Sequence, residues 1–258
     1  MVSLLRRWLA HPLTSGLDLD DPATTALRRQ IIESKPSLRA IYDEWYSILA
    51  AELPPVPGAV LELGSGAGYC ERFIPGLITS EILPCPRVRL AADAHQLPFA
   101  DASLRAIVFT DVLHHMPDVR RFLAESLRCL CPGGRILMIE PWVSGWSRLV
   151  FTRLHHEPFR PAAKEWSFPS SGPLSGANGA LPWILFARDR TLFEAEFPRI
   201  EIRAIRPFLP FRYLLSGGVS MRSLTPSFVQ PLIKKLENSL NGQMQNFAMF
   251  AFIALQRR

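Results

Sequence analysis

The stretch that decides the fold is Val60-Leu61-Glu62-Leu63-Gly64-Ser65-Gly66-Ala67-Gly68. An apolar run ends in an acid and leads directly into three glycines spaced two apart. A buried strand that breaks into a tight glycine turn makes a slot for a nucleotide-like ligand, because a residue without a Cβ lets the backbone turn sharply and come close to what it holds. The spacing narrows the ligand. A dinucleotide fingerprint reads G-x-G-x-x-G, and counted from Gly64 its third glycine falls at Tyr69; here the glycine stands at Gly68.

Further strands follow at short intervals. Leu77-Ile78-Thr79-Ser80-Glu81 is an apolar run closed by an acid nineteen positions after Glu62, and Val88 to Asp93 is another. In nucleotide-binding α/β folds an acid about 20 residues on takes ribose hydroxyls. Leu104 to Thr110 reads as a fourth strand. Val119, Phe122, Leu123, Leu127 and Leu130 recur at helical spacing. Pro132-Gly133-Gly134 is expected to stop that helix before a fifth strand from Arg135 to Glu140. The alternation predicts an α/β chain with a Rossmann-like, doubly wound sheet. The sheet is expected to be mostly parallel, with Ala248 to Leu255 as a final antiparallel strand at its edge.

These residues together resemble the class I S-adenosylmethionine-dependent methyltransferases. The branch is the type 11 group that includes the ubiquinone and menaquinone C-methyltransferases. The carriers are Glu62 to Gly68, Glu81, Asp93-Ala94 with Leu97-Pro98-Phe99, Leu113-His114-His115 and Cys131-Pro132-Gly133-Gly134. The resemblance implies S-adenosyl-L-methionine as cofactor. Glu62, Leu63, Gly64, Ser65, Gly66 and Gly68 would hold its methionine end. A helix beginning near Gly68 would receive the carboxylate on its N-terminus, and Glu62 would complement the ammonium through water or with backbone carbonyls. Glu81 would bind the ribose, Asp93 the adenine amino group and the Ala94 amide a ring nitrogen. Leu97 would wall the adenine, and Thr110 would lie near the methionine moiety. A quinone acceptor does not carry over. Cys131 stands where quinone methyltransferases have a basic residue, Pro141-Trp142 follows Glu140 where they have serine, and Ile41 to Tyr46 lacks their tyrosine-rich signature.

The 258 residues suit one structural domain with additions. It divides into a helical amino-terminal cap at 1–57, a cofactor-binding core at 58–141, a pocket or lid insertion after strand five at 142–199, and a completion of the sheet at 200–258. Leu38, Ile41, Tyr42, Trp45, Ile48 and Leu49 form the apolar face of one cap helix, and Asp21-Pro22 reads as an N-cap and first helical position. Leu4, Leu5, Trp8 and Leu9 oppose Arg6 and Arg7 on a short helix. That pattern suits either packing onto the domain or peripheral contact with a bilayer. The net charge of +6 comes with no run of five like charges, so single and paired arginines such as Arg28-Arg29 read as solvated surface rather than a nucleic-acid groove. Cys70, Cys85, Cys129 and Cys131 lack C-x-x-C pairing and read as free thiols. No cleavable leader is visible. A cytoplasmic protein, at most resting on the inner membrane surface, is expected.

Substrate choice is expected beyond Glu140. Trp166 to Ala187 has no charged residue, but Pro169, Pro173 and Pro182 with three glycines break any spanning helix. The segment reads as a pocket wall or lid. The candidate proton acceptors are His114 and His115 at the mouth of strand four, with His155, His156 and Glu157 further on, since imidazole titrates near neutrality. Packing histidines are the other reading. No metal set is assigned, because adjacent ligands in His155-His156-Glu157 diverge on a helix. The expected activity is methyl transfer to O or C of a small, largely apolar or lipid-linked acceptor. RNA methylation and a non-catalytic, cofactor-binding regulator are the alternatives.

Overall fold

The computed structural model describes residues 11, 22–155, 157–170, 172 and 176–258; the amphipathic stretch Leu4 to Leu9, Asp21 and His156 lie outside them. Seven strands form one sheet: β1 (Ala59–Glu62), β2 (Ile78–Glu81), β3 (Leu90–Ala91), β4 (Leu104–Thr110), β5 (Leu130–Pro141), β6 (Ile200–Phe208) and β7 (Phe250–Arg257). Their order is β3-β2-β1-β4-β5-β7-β6. The β1–β2, β1–β4, β2–β3 and β4–β5 pairs are parallel, whereas β7 runs antiparallel to both β5 and β6. The order reverses at β1, so the tips of β1, β2 and β4 open a crevice where such folds place ligands.

Two expectations about elements need correction. The last strand is not the edge. Six successive residues of β7, from Phe250 to Leu255, are buried, and the strand pairs with β5 on one side and β6 on the other. The edge is β6, which has no buried position after Ile200. The α-helix expected near Gly68 is also absent. Ser65–Ala67 and Cys70–Arg72 are 3₁₀ turns. Only six residues separate Gly68 from Pro75, and a proline disfavours the α conformation of the residue before it, so no second turn can form.

The Pro132-Gly133-Gly134 segment likewise does more than end a helix. The chain enters β5 directly from the helix and loops out between Leu130, opposite Leu104, and Arg135, opposite Ala106. Gly133 there has φ 76°, which a residue without a Cβ tolerates.

The helices cover the sheet and set the crevice walls. α1 (Pro22–Ser34) lies against the glycine turn, and α2 (Pro36–Ala51) buries Leu38, Ile41, Tyr42, Trp45 and Leu49. α3 (Val119–Cys129) is capped by Asp118, which accepts from the Arg121 amide, and packs Phe122 edge-on against Phe109 of β4. α4 (Gly145–Arg153) starts on a Ser144–Ser147 capping box. The predicted Trp166–Ala187 segment folds into α5 (Leu181–Trp183) and a π-type turn over Ile184–Arg188, then reaches α6 (Arg190–Glu196). Leu181, Ile184, Leu185 and Phe186 are fully buried. The Trp166 ring is fixed by an indole N–H donated to Asp189 and by the Arg120 guanidinium above it. Among the described residues no helix is long and apolar enough to cross a membrane.

Towards the carboxy terminus lie α7 (Arg212–Ser216), α8 (Gln230–Ser239) and α9 (Met244–Phe247). Arg212 is buried between Glu237 and Glu44. The Lys35 ammonium donates to the carbonyls of Ser216, Gly218 and Met221, tying the α1–α2 junction to this region.

Candidate functional site

One cleft opens at the crevice, and the glycine turn forms its floor. Gly64 has φ 67°, the left-handed conformation that the turn out of β1 requires. The turn is stitched to β2: the Ser80 amide donates to Ser65 Oγ, the Ser80 hydroxyl to the Glu62 carbonyl, and the Gly66 amide to Glu81 Oε2 at 3.1 Å. A Cβ on Gly66 would stand 2.2 Å from Thr25 Cγ2. The glycine spacing therefore serves the protein's own close packing as well as any ligand.

Of the residues read from sequence as cofactor-binding, Leu63, Gly64, Gly68, Glu81, Asp93, Ala94 and Thr110 line the cleft; Glu62, Ser65, Gly66 and Leu97 stand behind it. Leu97 is buried with its amide on Glu125. Glu62 is 3% exposed, its Oε2 has no hydrogen-bond partner, and burial pushes its carboxyl up to about 8. Burial also raises Glu81, against the amides of Ile82 and Gly66. Asp93 is lowered. Partial burial acts to raise it, but the amide and ring of His95 both reach Oδ1 and outweigh that.

Arg28 lines the same cleft, and Arg29 donates to the Gly68 carbonyl at 2.7 Å. The sequence read this pair as solvated surface. Their position depends on how α1 crosses the glycine turn, which no local pattern records.

Beyond Thr110 the cleft turns polar at one point and aromatic around it. Asp111 has φ 57°, a sparsely populated conformation that aspartate tolerates better than most residues. It was missed in the sequence because its only signal is its place one residue past a strand. Burial raises its carboxyl to about 8, opposed by His114. The 3₁₀ turn Leu113–His115 follows. Fully buried Glu140, at the end of β5, accepts from the Val112 and Leu113 amides through Oε1 and from His114 Nδ1 through Oε2 at 2.7 Å. His114 Nε2 faces Glu157 Oε2 at 3.4 Å. Burial would lower His114, but the two carboxylates hold it well above the usual imidazole value. His115 donates through Nδ1 to the Gly176 carbonyl and turns Nε2 to Glu157 Oε1 at 3.7 Å. Burial and its charged neighbour push His115 down to about 4. Burial would raise Glu157, but His114, His115 and His155 keep it well below the carboxylate range.

The structure thus joins His114 and His115 to Glu157, with His155 at the rim, where Glu157 donates its amide to His155 Nδ1. Two segments some forty residues apart meet here. Phe151, Phe159, Tyr213 and Phe250 complete the wall.

Residues 79–138 match the family described as a methyltransferase domain. The chain is 27% identical over 152 residues to the mitochondrial 2-methoxy-6-polyprenyl-1,4-benzoquinol methylase of Drosophila melanogaster, covering 57% of this chain and 47% of that protein. It is 31% identical over 111 residues to the ubiquinone/menaquinone biosynthesis C-methyltransferase of Desulfotalea psychrophila, covering 36% and 45%. The chain thus spans about half the length of these relatives. Among solved structures, the geranyl diphosphate C-methyltransferase of Streptomyces coelicolor, in complex with Mg2+, geranyl diphosphate and S-adenosyl-L-homocysteine, superposes with TM-score 0.52 at 14% identity. That superposition covers 97% of this chain and 91% of that one. The sheet order has the Rossmann-like form of the class I S-adenosylmethionine-dependent methyltransferases, and the family match over residues 79–138 is to a methyltransferase domain. S-adenosyl-L-methionine is the cofactor of that class. The cleft fits it, with acids on successive strand tips at Glu81 and Asp93 and an unpartnered buried carboxylate oxygen at Glu62.

Proposed function

We propose that the chain transfers a methyl group from S-adenosyl-L-methionine to O or C of a small, apolar or lipid-linked acceptor held at the aromatic end of the cleft. One observation carries this reading: a single cleft is lined by the acids Glu81 and Asp93, by Asp111, and by Phe151, Phe159, Tyr213 and Phe250. Glu81 takes the ribose hydroxyls and Asp93 with the Ala94 amide takes the adenine edge. Thr110 lies beside the methionine portion. Arg28, in place of the helix terminus the fold lacks, pairs with the methionine carboxylate. Glu62 complements the ammonium from behind the turn. When bound, the cofactor supplies a methyl group on a positively charged sulfur.

The aromatic wall excludes water from the acceptor and orients it, which is where methyl transfer gains much of its rate. Of the five residues first considered for catalysis, His114, His115 and Glu157 hold the acceptor's polar group, and His155 borders its entry. Buried His114, its ring nitrogens facing Glu140 and Glu157, does not serve as base. Asp111, whose carboxyl titrates close to working pH, receives the proton the acceptor loses. The prenylated acceptor in the name of the Drosophila relative is of the chemical kind such a wall suits.

The test is transfer from methyl-labelled cofactor into separate lipid, metabolite and RNA extracts, with binding of S-adenosylhomocysteine measured alongside. Label in the organic phase is expected. Label confined to RNA, or binding with no acceptor labelled, overturns the reading.

A further inference from the structure

The geometry points to a divalent transition-metal site, of the zinc type, formed by His114 Nε2, His115 Nε2 and the Glu157 carboxylate. This deepens the preceding proposal and rests on its reading of the cleft. The three groups offer ligand atoms that all lie within 4.8 Å of one another. The two imidazole-to-carboxylate separations are 3.4 and 3.7 Å. Both are long for a charge-assisted hydrogen bond. One runs to each carboxylate oxygen, and both approach the edge of a tetrahedron with bonds of ~2.1 Å, about 3.4 Å between ligands, as zinc adopts with imidazole and carboxylate.

The outer contacts point the same way. Metal-ligating histidines give their second ring nitrogen to a carboxylate or a backbone carbonyl, which fixes the tautomer and aims the first nitrogen at the ion. Here His114 gives Nδ1 to Glu140 Oε2 at 2.7 Å and His115 gives Nδ1 to the Gly176 carbonyl at 3.0 Å. One histidine has each of the two usual supports. Glu140 is itself fixed by two backbone amides. Packing alone would not require both Nε2 atoms to converge on one carboxylate.

Two nitrogen donors and one carboxylate suit zinc and its first-row neighbours, whereas magnesium and calcium favour all-oxygen sets. Three protein ligands leave a fourth position open. All three residues line the cleft, so that position goes to an oxygen of the acceptor, which the ion would hold and polarise. The acceptor class narrows accordingly to apolar molecules carrying a hydroxyl or carbonyl. Glu140 is then a positioning residue that acts through His114.

The experiment uses the full chain without an affinity tag. The protein is stripped by chelator, dialysed, and titrated with Zn2+ and with Co2+. Zinc is quantified by elemental mass spectrometry, and Co2+ is followed by its visible absorption. About one equivalent of either ion and a tetrahedral-type Co2+ band are expected. His115→Ala and Glu157→Gln should each weaken binding at least ~100-fold. Glu140→Gln should weaken it ~10–100-fold and shift the Co2+ band, which a purely structural role would leave in place. Absence of stoichiometric metal, or equal binding by folded His115→Ala, overturns the site. Binding of S-adenosylhomocysteine is measured on the same samples. Cofactor binding without metal rejects this inference alone, whereas metal without cofactor rejects the methyltransferase reading beneath it.

Discussion

The Gly66 amide donates to Glu81 Oε2 at 3.1 Å, so the glycine turn and the tip of β2 form one unit. Glu81 also accepts from the Ile82 amide through its other oxygen. A carboxylate held at both oxygens is already aimed before any ribose arrives. A methyl group at position 66 would stand 2.2 Å from Thr25 Cγ2 and 2.9 Å from Glu81 Oε2. Gly66→Ala should therefore lower affinity for S-adenosylhomocysteine by at least ~10-fold, or about 1.4 kcal/mol. Adding Thr25→Ser removes the nearer contact and should recover part of the loss. Calorimetric titration of the single and double variants checks this, and unchanged affinity in folded Gly66→Ala would detach the turn from the cofactor.

Glu62 predicts a pH dependence of stability. Its folded carboxyl is pushed to about 8 by burial, above its unfolded value. Between those two values the native state keeps a proton that the unfolded chain has released, so stability falls as pH rises through that window. Glu62→Gln stays neutral throughout. Its unfolding free energy should exceed that of the wild type at pH 8, by an amount on the order of 3 kcal/mol at 1.4 kcal/mol per unit, and the difference should shrink towards pH 4.5. Urea unfolding at both pH values measures it; a difference independent of pH would show that no buried neutral carboxyl is present. The same variant should bind cofactor more weakly, because an arriving ammonium draws Glu62 into its ionised form, which glutamine cannot adopt.

Asp111 separates binding from turnover. It lines the cleft with the histidines, and no side-chain hydrogen bond holds it among the described residues. Asp111→Asn keeps the shape and removes the proton acceptor. Turnover should fall ~100-fold or more, with S-adenosylhomocysteine affinity within about threefold of the wild type. In the wild type the rate should rise with pH through a midpoint near 8 and level off above it, and that limb should vanish in the variant. A variant that keeps both turnover and limb would remove Asp111 from the chemistry.

The core of the fold was legible because each of its signals is local. Strands read from apolar runs ending in Glu62, Glu81 and Thr110 correspond to β1, β2 and β4, and the turn after β1 is encoded in three consecutive alternate glycines. The order of the last two strands was not legible. β6 and β7 differ in burial, and burial depends on what packs across the sheet. The missing helix after Gly68 could have been anticipated from Pro75. Arg28 and Asp111 left no pattern because a single residue on a helix or past a strand acquires its meaning from a crossing angle. The histidine cluster was half visible: both segments stood out, but His114, His115 and Glu157 meet only through tertiary packing of the segment after α4.

Lys35 connects a buried charge to the shape of the acceptor end. Its ammonium, 7% exposed as a residue, donates to the carbonyls of Ser216, Gly218 and Met221, at 3.1 Å and 2.6 Å for the first two. Between those carbonyls lie Val219 and Ser220, which line the cleft. Gly217 and Gly218 adopt positive φ, so this stretch has little secondary structure of its own and depends on the ammonium for its path. Lys35→Met keeps the aliphatic stem but takes the ammonium from all three carbonyls, of which Ser216 keeps the Ser223 hydroxyl as donor. At about 1–3 kcal/mol for each unsatisfied buried group, reduced where water can enter, the loss should be about 3 kcal/mol. Amides of the 216–224 stretch should exchange faster with deuterium, and the acceptor KM should rise more than kcat falls, because the wall rather than the polar centre is loosened. Cofactor affinity, set at the opposite end of the cleft, should change by less than about twofold. An equal loss of acceptor and cofactor binding would mean that Lys35 supports the whole cap rather than this one wall.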